Sequence, residues 1–196
     1  STDMTGEIAK RLGAEVLRHE KKLGKGSALR TLFLRAFELN PDVIVTLDSD
    51  GQHDPEQIPT LVKPIIAGEA DMVVGSRFVH GATTDIPMRR SIGLGLVNWF
   101  SRKTNKSKVK DTQSGFRAFS TKALDAIFQG EVNGYGVETE QLVLATKMGL
   151  RVSEVPVDIR YSGLENTSKK HPLFHGFELI ETILSLILEE RPLMFL

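Results

Sequence analysis

Asp48 and Asp50 stand two residues apart, with Ser49 between them and Gly51, Gln52, His53 and Asp54 behind. Paired carboxylates beside a glycine suit a hard divalent cation that carries a phosphate ligand. They directly follow Val43-Ile44-Val45-Thr46-Leu47, an apolar run that reads as a buried strand. In open α/β sheets, chemistry gathers at the carboxyl ends of strands, and this turn has that position. A second set of candidates is cationic. Arg77 closes Gly75-Ser76-Arg77-Phe78 at the end of another strand pattern. Arg89 and Arg90 open a helix pattern, where cations oppose the macrodipole. Guanidinium forks match phosphate oxygens. Lys25 and Gly26 belong to Gly24-Lys25-Gly26-Ser27, a basic loop ahead of a helix that suits nucleotide phosphates. The full P-loop spacing is absent there.

Several chemistries compete for the acidic turn. It is also readable as a plain loop whose aspartates cap the next helix. An EF-hand requires glycine at the sixth loop position and glutamate at the twelfth; here those are His53 and Pro59, so that reading fails. A haloacid-dehalogenase-type phosphatase uses a similar turn, but Gln52 replaces its usual Thr or Val, and no later strand ends in paired aspartates. A metal-dependent nucleotide-sugar transferase, with the cation on a diphosphate, also accounts for the turn. The five histidines show no zinc-ligand spacing. Glu138 and Glu140 straddle a helix start, where the dipole stabilises acids.

The elements that must position these residues follow from periodicity. The chain has 196 residues, 40% hydrophobic and 26% charged, which fits one soluble domain. Its 25 basic and 25 acidic residues give zero net charge, against a dedicated nucleic-acid binder. With no cysteine, disulfides and thiolate metal sites are excluded. No run of roughly 18 apolar residues marks a membrane span. Both ends look cut, and the chain is expected to be part of a longer protein. Helices are expected over 5–12, 27–39 (capped by Ser27), 54–67, 87–104, 121–128, 137–148 and 175–190. Strands are expected over 14–18, 43–47, 71–75 and 151–161, with Pro156 marking an edge or bend; the turn within 111–120 leads into a further short strand whose pattern holds one lone arginine, Arg117. This alternation predicts one α/β domain with a mostly parallel sheet flanked by helices.

Together, Leu47-Asp48-Ser49-Asp50-Gly51-Gln52-His53-Asp54-Pro55-Glu56, Gly75-Ser76-Arg77-Phe78 and Asp111-Thr112-Gln113-Ser114-Gly115-Phe116-Arg117-Ala118-Phe119 resemble the polyprenyl-phosphate sugar synthases. These are the dolichol-phosphate mannose and glucose synthases of the family-two glycosyltransferases. Gly24 to Leu29 resembles their early basic loop. The resemblance covers about residues 1–172 and implies a GT-A, Rossmann-like nucleotide-sugar transferase domain. The apolar helix after it reads either as packing on the domain core or, if the acceptor is a lipid, as an amphipathic juxtamembrane helix over 173–196. It implies that Asp48, Asp50 and Gln52 surround Mg2+ or Mn2+ on the donor diphosphate. Lys25, Gly26, Ser49, Ser168 and Lys169 would assist on the GDP- or UDP-sugar. Arg77 and one of Arg89 or Arg90 would hold the acceptor phosphate, with Gln113 and Ser114 lining the pocket. Asp50, Arg77 and Asp111 would be the catalytic residues. The implied partners are a nucleotide sugar, a polyprenyl (dolichyl) phosphate and a membrane surface, and the implied location is the cytoplasmic face of a membrane. Two departures stand out: of the family's two initial strands only the tail, Ser1-Thr2-Asp3, is read here, the rest being expected in the longer protein, and Gly93 or Leu94 replaces a serine one turn after the arginine.

The implied reaction is an inverting displacement of the nucleoside diphosphate by the acceptor phosphate. A phosphate monoester is largely ionised at neutral pH and needs no strong base. A sugar hydroxyl acceptor, as in polysaccharide or glycolipid synthesis, would need one, with Asp111 first and Glu138 or Glu140 behind it. A non-catalytic sugar-nucleotide-binding module is the third possibility.

Overall fold

The computed structural model of the chain describes residues 3–82, 109–129 and 137–160. They fall into two compact units, Ser1–Asn40 and Pro41–Leu196.

The first unit holds α1 (Thr5–Arg11) and α2 (Lys25–Glu38). Gly13 follows α1 at φ 90°, a left-handed stop that glycine supplies without strain. Helix α2 starts two residues earlier than expected. Gly24 sits at its N-cap, and Ser27 lies inside the first turn, donating its hydroxyl to the Leu23 carbonyl at 3.1 Å instead of capping. Residues 14–18 form no strand, because an extended segment becomes one only with a ladder partner, and none of the described residues supplies it. Side-chain ties hold this segment to α2 instead: Arg35 reaches Glu15 at 2.7 Å, and His19 meets Thr31 at 2.8 Å.

The second unit is built on β1 (Val43–Thr46), β2 (Met72–Ser76), β3 (Arg117–Ser120) and β4 (Val152–Pro156), in the order β1-β3-β2-β4. Its helices are α3 (Ile58–Ile66), α4 (Thr121–Gln129) and α5 (Val137–Lys147). Strands β1, β2 and β4 share one direction, and β3 runs against both of its neighbours. The sheet is therefore mixed, where alternation alone suggested a mostly parallel one. Strand β1, expected to be buried and central, is a half-buried end strand of this described sheet. The central buried strand is β2, with every residue covered. Pro156 ends the other outer strand, β4, where a missing N–H costs no ladder bond.

Side chains alternate across a strand, so β2 and β3 each feed two cores. Val73 and Ala118 are partners in register and pack with Leu61, Phe116, Val157 and Ile159 under α3. Met72 and Phe119 are also partners; they alternate onto the opposite face. Leu124 of α4 and Leu142 of α5 are buried as well. Helix α3 is preceded by a 3-10 turn, Pro55–Gln57, whose cap Asp54 accepts from the Glu56 N–H at 3.0 Å. Gly68 and Gly149 take positive φ after α3 and α5.

Candidate active site

Because β3 is reversed, its amino end lies level with the carboxyl ends of β1, β2 and β4. Arg117 pairs with Thr46 on one side and with Val74 on the other. Four chain segments therefore meet at one sheet edge: 47–54, 76–79, 111–116 and 157–160.

The acidic turn is locally determined. The Asp50 carboxylate accepts from the Gln52 N–H at 3.0 Å, and Gly51 between them sits at φ 78°. That φ suits glycine. Asp48 is half-buried and Asp50 exposed. The turn is anchored behind. The Gln52 carbonyl accepts from the Arg160 N–H at 3.0 Å, and His53 bridges Ile159. Thr46 donates to the Gly115 carbonyl at 2.8 Å, which ties the strand before the turn to the loop before β3.

Across the edge, Arg77 and Asp111 form a two-pronged ion pair. Arg77 Nε and Nη2 each lie 2.7 Å from an Asp111 oxygen, and the Arg77 backbone N–H adds a third bond at 3.1 Å. The carboxylate side chain is fully buried and the guanidinium is 8% exposed. Asp111 is itself fixed, its N–H donating to Glu154 of β4 at 2.9 Å. The guanidinium also lies 5.7 Å from the Phe78 ring centroid, a cation–π distance.

His53 reports how closely these charges converge. Its ring lies 5.1 Å from that of Phe116. Burial lowers its pKa, Arg77 lowers it further, and Asp48, Asp50 and Asp111 pull the other way. Its Nδ1 is buried with no hydrogen-bond partner among the described residues. Arg117 is a second sensor: burial pushes its guanidinium down to about 10, against Glu138, Asp111 and Asp48.

Two carboxylates and an amide oxygen are hard donors, the set that suits Mg2+ or Mn2+. Among the described residues, no group of three His, Cys, Asp or Glu side chains is placed to hold a metal. The order of these motifs has counterparts. Residues 1–128 match Glycosyl transferase family 2. The chain belongs to that family. A UDP-N-acetylglucosamine–dolichyl-phosphate N-acetylglucosaminyltransferase of Methanococcus voltae is 34% identical over 148 residues, 74% of this chain and 59% of that one. A dolichyl-phosphate hexose transferase of Haloferax volcanii is 32% identical over 193 residues, covering 97% of this chain and 79% of that one. Among solved structures, glucosyl-3-phosphoglycerate synthase of Mycobacterium tuberculosis, in complex with Mn2+ and UDP-glucose, superposes with a TM-score of 0.67 at 25% identity, over 95% of this chain and 64% of that one. The fold is thus GT-A, as the resemblance implied.

Within this family-two domain, the sheet edge gathers Asp48, Ser49, Asp50, Gln52, Arg77, Asp111, Gln113 and Ser114. Their settings differ. Gln113 donates its amide to the Thr139 hydroxyl at 3.0 Å. Ser114 is 2% exposed, and its hydroxyl accepts from the Phe116 N–H at 3.3 Å, so it serves the loop's own structure. Lys25 and Gly26 open α2 in the first unit. Arg89, Arg90, Ser168, Lys169, the expected helices 87–104 and 175–190 and the expected boundary at 172 lie outside the described residues. No described helix is long and apolar enough to cross a membrane. Three contributors carried no assigned role in the sequence: His53, Glu154 and Arg117. Only Arg117 left a trace, as a lone cation inside an apolar strand pattern.

Proposed function

We propose that this chain carries the machinery that moves a hexose from a nucleotide sugar to a polyprenyl phosphate. The observation that carries the reading is the buried Arg77–Asp111 pair facing the Asp48-Ser49-Asp50 turn across one sheet edge. One side supplies oxygens for a cation on a diphosphate, and the other a positioned cation for a second phosphate. The names of the archaeal relatives agree with a polyprenyl acceptor. GDP-mannose, UDP-glucose and UDP-N-acetylglucosamine are the donors to test, and the cytoplasmic face of a membrane is the location that fits such an acceptor.

In the displacement, an acceptor phosphate oxygen forms a bond to the anomeric carbon. The bond from that carbon to the nucleoside diphosphate breaks, its electron pair stays on the leaving phosphate, and configuration inverts. The attacking oxygen is already ionised at neutral pH, so catalysis rests on orientation and electrostatics. Asp48, Asp50 and Gln52 would hold Mg2+ or Mn2+, which when bound neutralises charge on the leaving diphosphate. Asp111 is poorly suited to accept a proton from an acceptor hydroxyl. Its side chain is fully buried and accepts three hydrogen bonds from Arg77. That disfavours the hydroxyl-acceptor reading in which it is the base.

The test is a screen of UDP- and GDP-sugars against dolichyl and undecaprenyl phosphate, with product identification. Transfer is expected to stop with Asp50→Ala and with excess chelator, and to return on adding Mn2+ or Mg2+. Undiminished transfer in chelator removes the metal from the mechanism. A product glycosylated on a sugar hydroxyl replaces the acceptor assignment.

A further inference from the structure

Arg117 is 1% exposed, and none of its hydrogen bonds to the described residues goes to a carboxylate. Its Nε donates to the Ser114 carbonyl at 2.7 Å and Nη2 to the Thr112 carbonyl at 2.8 Å. Nη1 donates to the Glu138 carbonyl at 2.7 Å and to Gln141 Oε1 at 3.0 Å. A buried cation is costly unless paired, and a charge kept for packing alone is ordinarily bonded to an acid. This one is held by neutral oxygens from two places, the loop before β3 and the first two turns of α5. The acids that offset it electrostatically are Glu138, Asp111 and Asp48, two of which face the reaction edge.

The loop that Arg117 fixes begins with Asp111, and Asp111 orients Arg77. We propose that Arg117 is a positioning residue for the acceptor-phosphate clamp: by locking Thr112 and Ser114 against α5 it sets the Asp111 carboxylate, and through it the Arg77 guanidinium. The inference rests on the acceptor reading above for its kinetic consequence, but not for its structural one. The planar fork is essential. Lysine keeps the charge, yet offers no rigid set of donors for carbonyls at four points. Arg117→Lys therefore behaves like Arg117→Met rather than like the parent chain. Gln141→Leu removes one of the four acceptors, leaves the guanidinium in place and produces a smaller change of the same kind.

The experiment uses the full chain with two readouts. The first is the Arg77 Nε–H signal in arginine-labelled nitrogen NMR, assigned by its loss in Arg77→Lys, with its exchange rate against solvent. The second is steady-state transfer with donor and acceptor varied separately. In both Arg117 variants the Arg77 proton is expected to lose protection. The acceptor KM rises by about tenfold or more, equivalent to ~1.4 kcal/mol, while the donor KM stays within about twofold. Unchanged Arg77 protection in Arg117→Lys and Gln141→Leu overturns the proposal. So does a fall in melting temperature with unaltered kinetics per folded molecule, or an equal loss for both substrates. If the parent chain transfers nothing to polyprenyl phosphate but Arg77 responds as expected, the acceptor assignment fails and the positioning role stands.

Discussion

Asp111→Asn separates a clamp from a base. In the parent structure the carboxylate receives three N–H donors from Arg77 at 2.7, 2.7 and 3.1 Å. Asparagine keeps one oxygen and turns an NH2 group toward a guanidinium that is 8% exposed. Solvent cannot reorganise freely around that cation, so little screening offsets the loss. Breaking a buried pair from one side costs about 3–5 kcal/mol. For a unit of this size that corresponds to a melting temperature lower by roughly 10 °C. Urea unfolding of the single variants, Arg77→Gln and the double variant closes a cycle. The double variant is expected to be less destabilised than the sum of the two singles, with a coupling of ~2 kcal/mol or more. A coupling below about 0.5 kcal/mol would mean that the pair is not energetically real, and the clamp argument would fall with it. Kinetics on the folded fraction provide the second arm. Loss of a general base costs kcat about 10²–10⁴-fold and removes a limb of the pH profile. Loss of the clamp raises the acceptor KM and leaves the shape of the profile alone.

Other perturbations test the frame around the site. A Cβ on Gly75 would meet Val157 Cγ1 at 2.9 Å and the Phe116 carbonyl at 3.2 Å; Gly75→Ala is expected to cost about 1–3 kcal/mol, read from the urea midpoint, and an unchanged midpoint would show that Val157 and the backbone at Phe116 yield freely. At the opposite sheet edge, Asp71 accepts from the Arg151 N–H, Nε and Nη2 at 2.8, 3.1 and 3.0 Å, and the Arg151 side chain holds its pKa well below the usual carboxylate range. A depressed folded pKa stabilises above the unfolded value of about 3.9 and loses that stabilisation as pH falls below it. Asp71→Asn is thus expected to cost ~2 kcal/mol near neutrality, with the gap to the parent chain shrinking in acid. A gap that widens on acidification contradicts the assigned sign.

What could be read in the sequence followed from local chemistry. Asp54-Pro55 marks a helix start because a cap and a proline are both local devices, and the 54–67 helix forms there behind a 3-10 turn. Met72–Ser76 was legible because a strand buried on both faces carries an uninterrupted apolar run. Residues 14–18 failed for the opposite reason. Strand propensity is a statement about neighbours, and a single segment does not reveal whether a ladder partner exists. The Asp-x-Asp turn is legible as a candidate from its local pattern, but the partner of Arg77 is not, since Asp111 lies 34 residues away. The role of Arg117 is not legible in its pattern, because burial is a property of the assembled layers.

The direction of β3 brings Asp111 to the same sheet edge as Asp48 and Arg77, and alternation of helices and strands cannot supply it. A parallel β3 would put its preceding loop at the amino ends of β1 and β2, a full strand length from the acidic turn. Four residues of β3 at about 3.3 Å each separate those two edges by roughly 13 Å, far beyond the reach of a carboxylate to Arg77. The reversed strand inverts the usual rule for one segment: β1 and β2 present Asp48 and Arg77 beyond their carboxyl ends, and β3 presents Asp111 ahead of its amino end. Hence the motifs sit after the first two strands in the sequence, at Asp48 and Arg77, but before the third, at Asp111. That asymmetric placement is itself a signature of the mixed sheet. It also explains why Arg117, the first residue of β3, stands where one side chain reaches both the loop and α5.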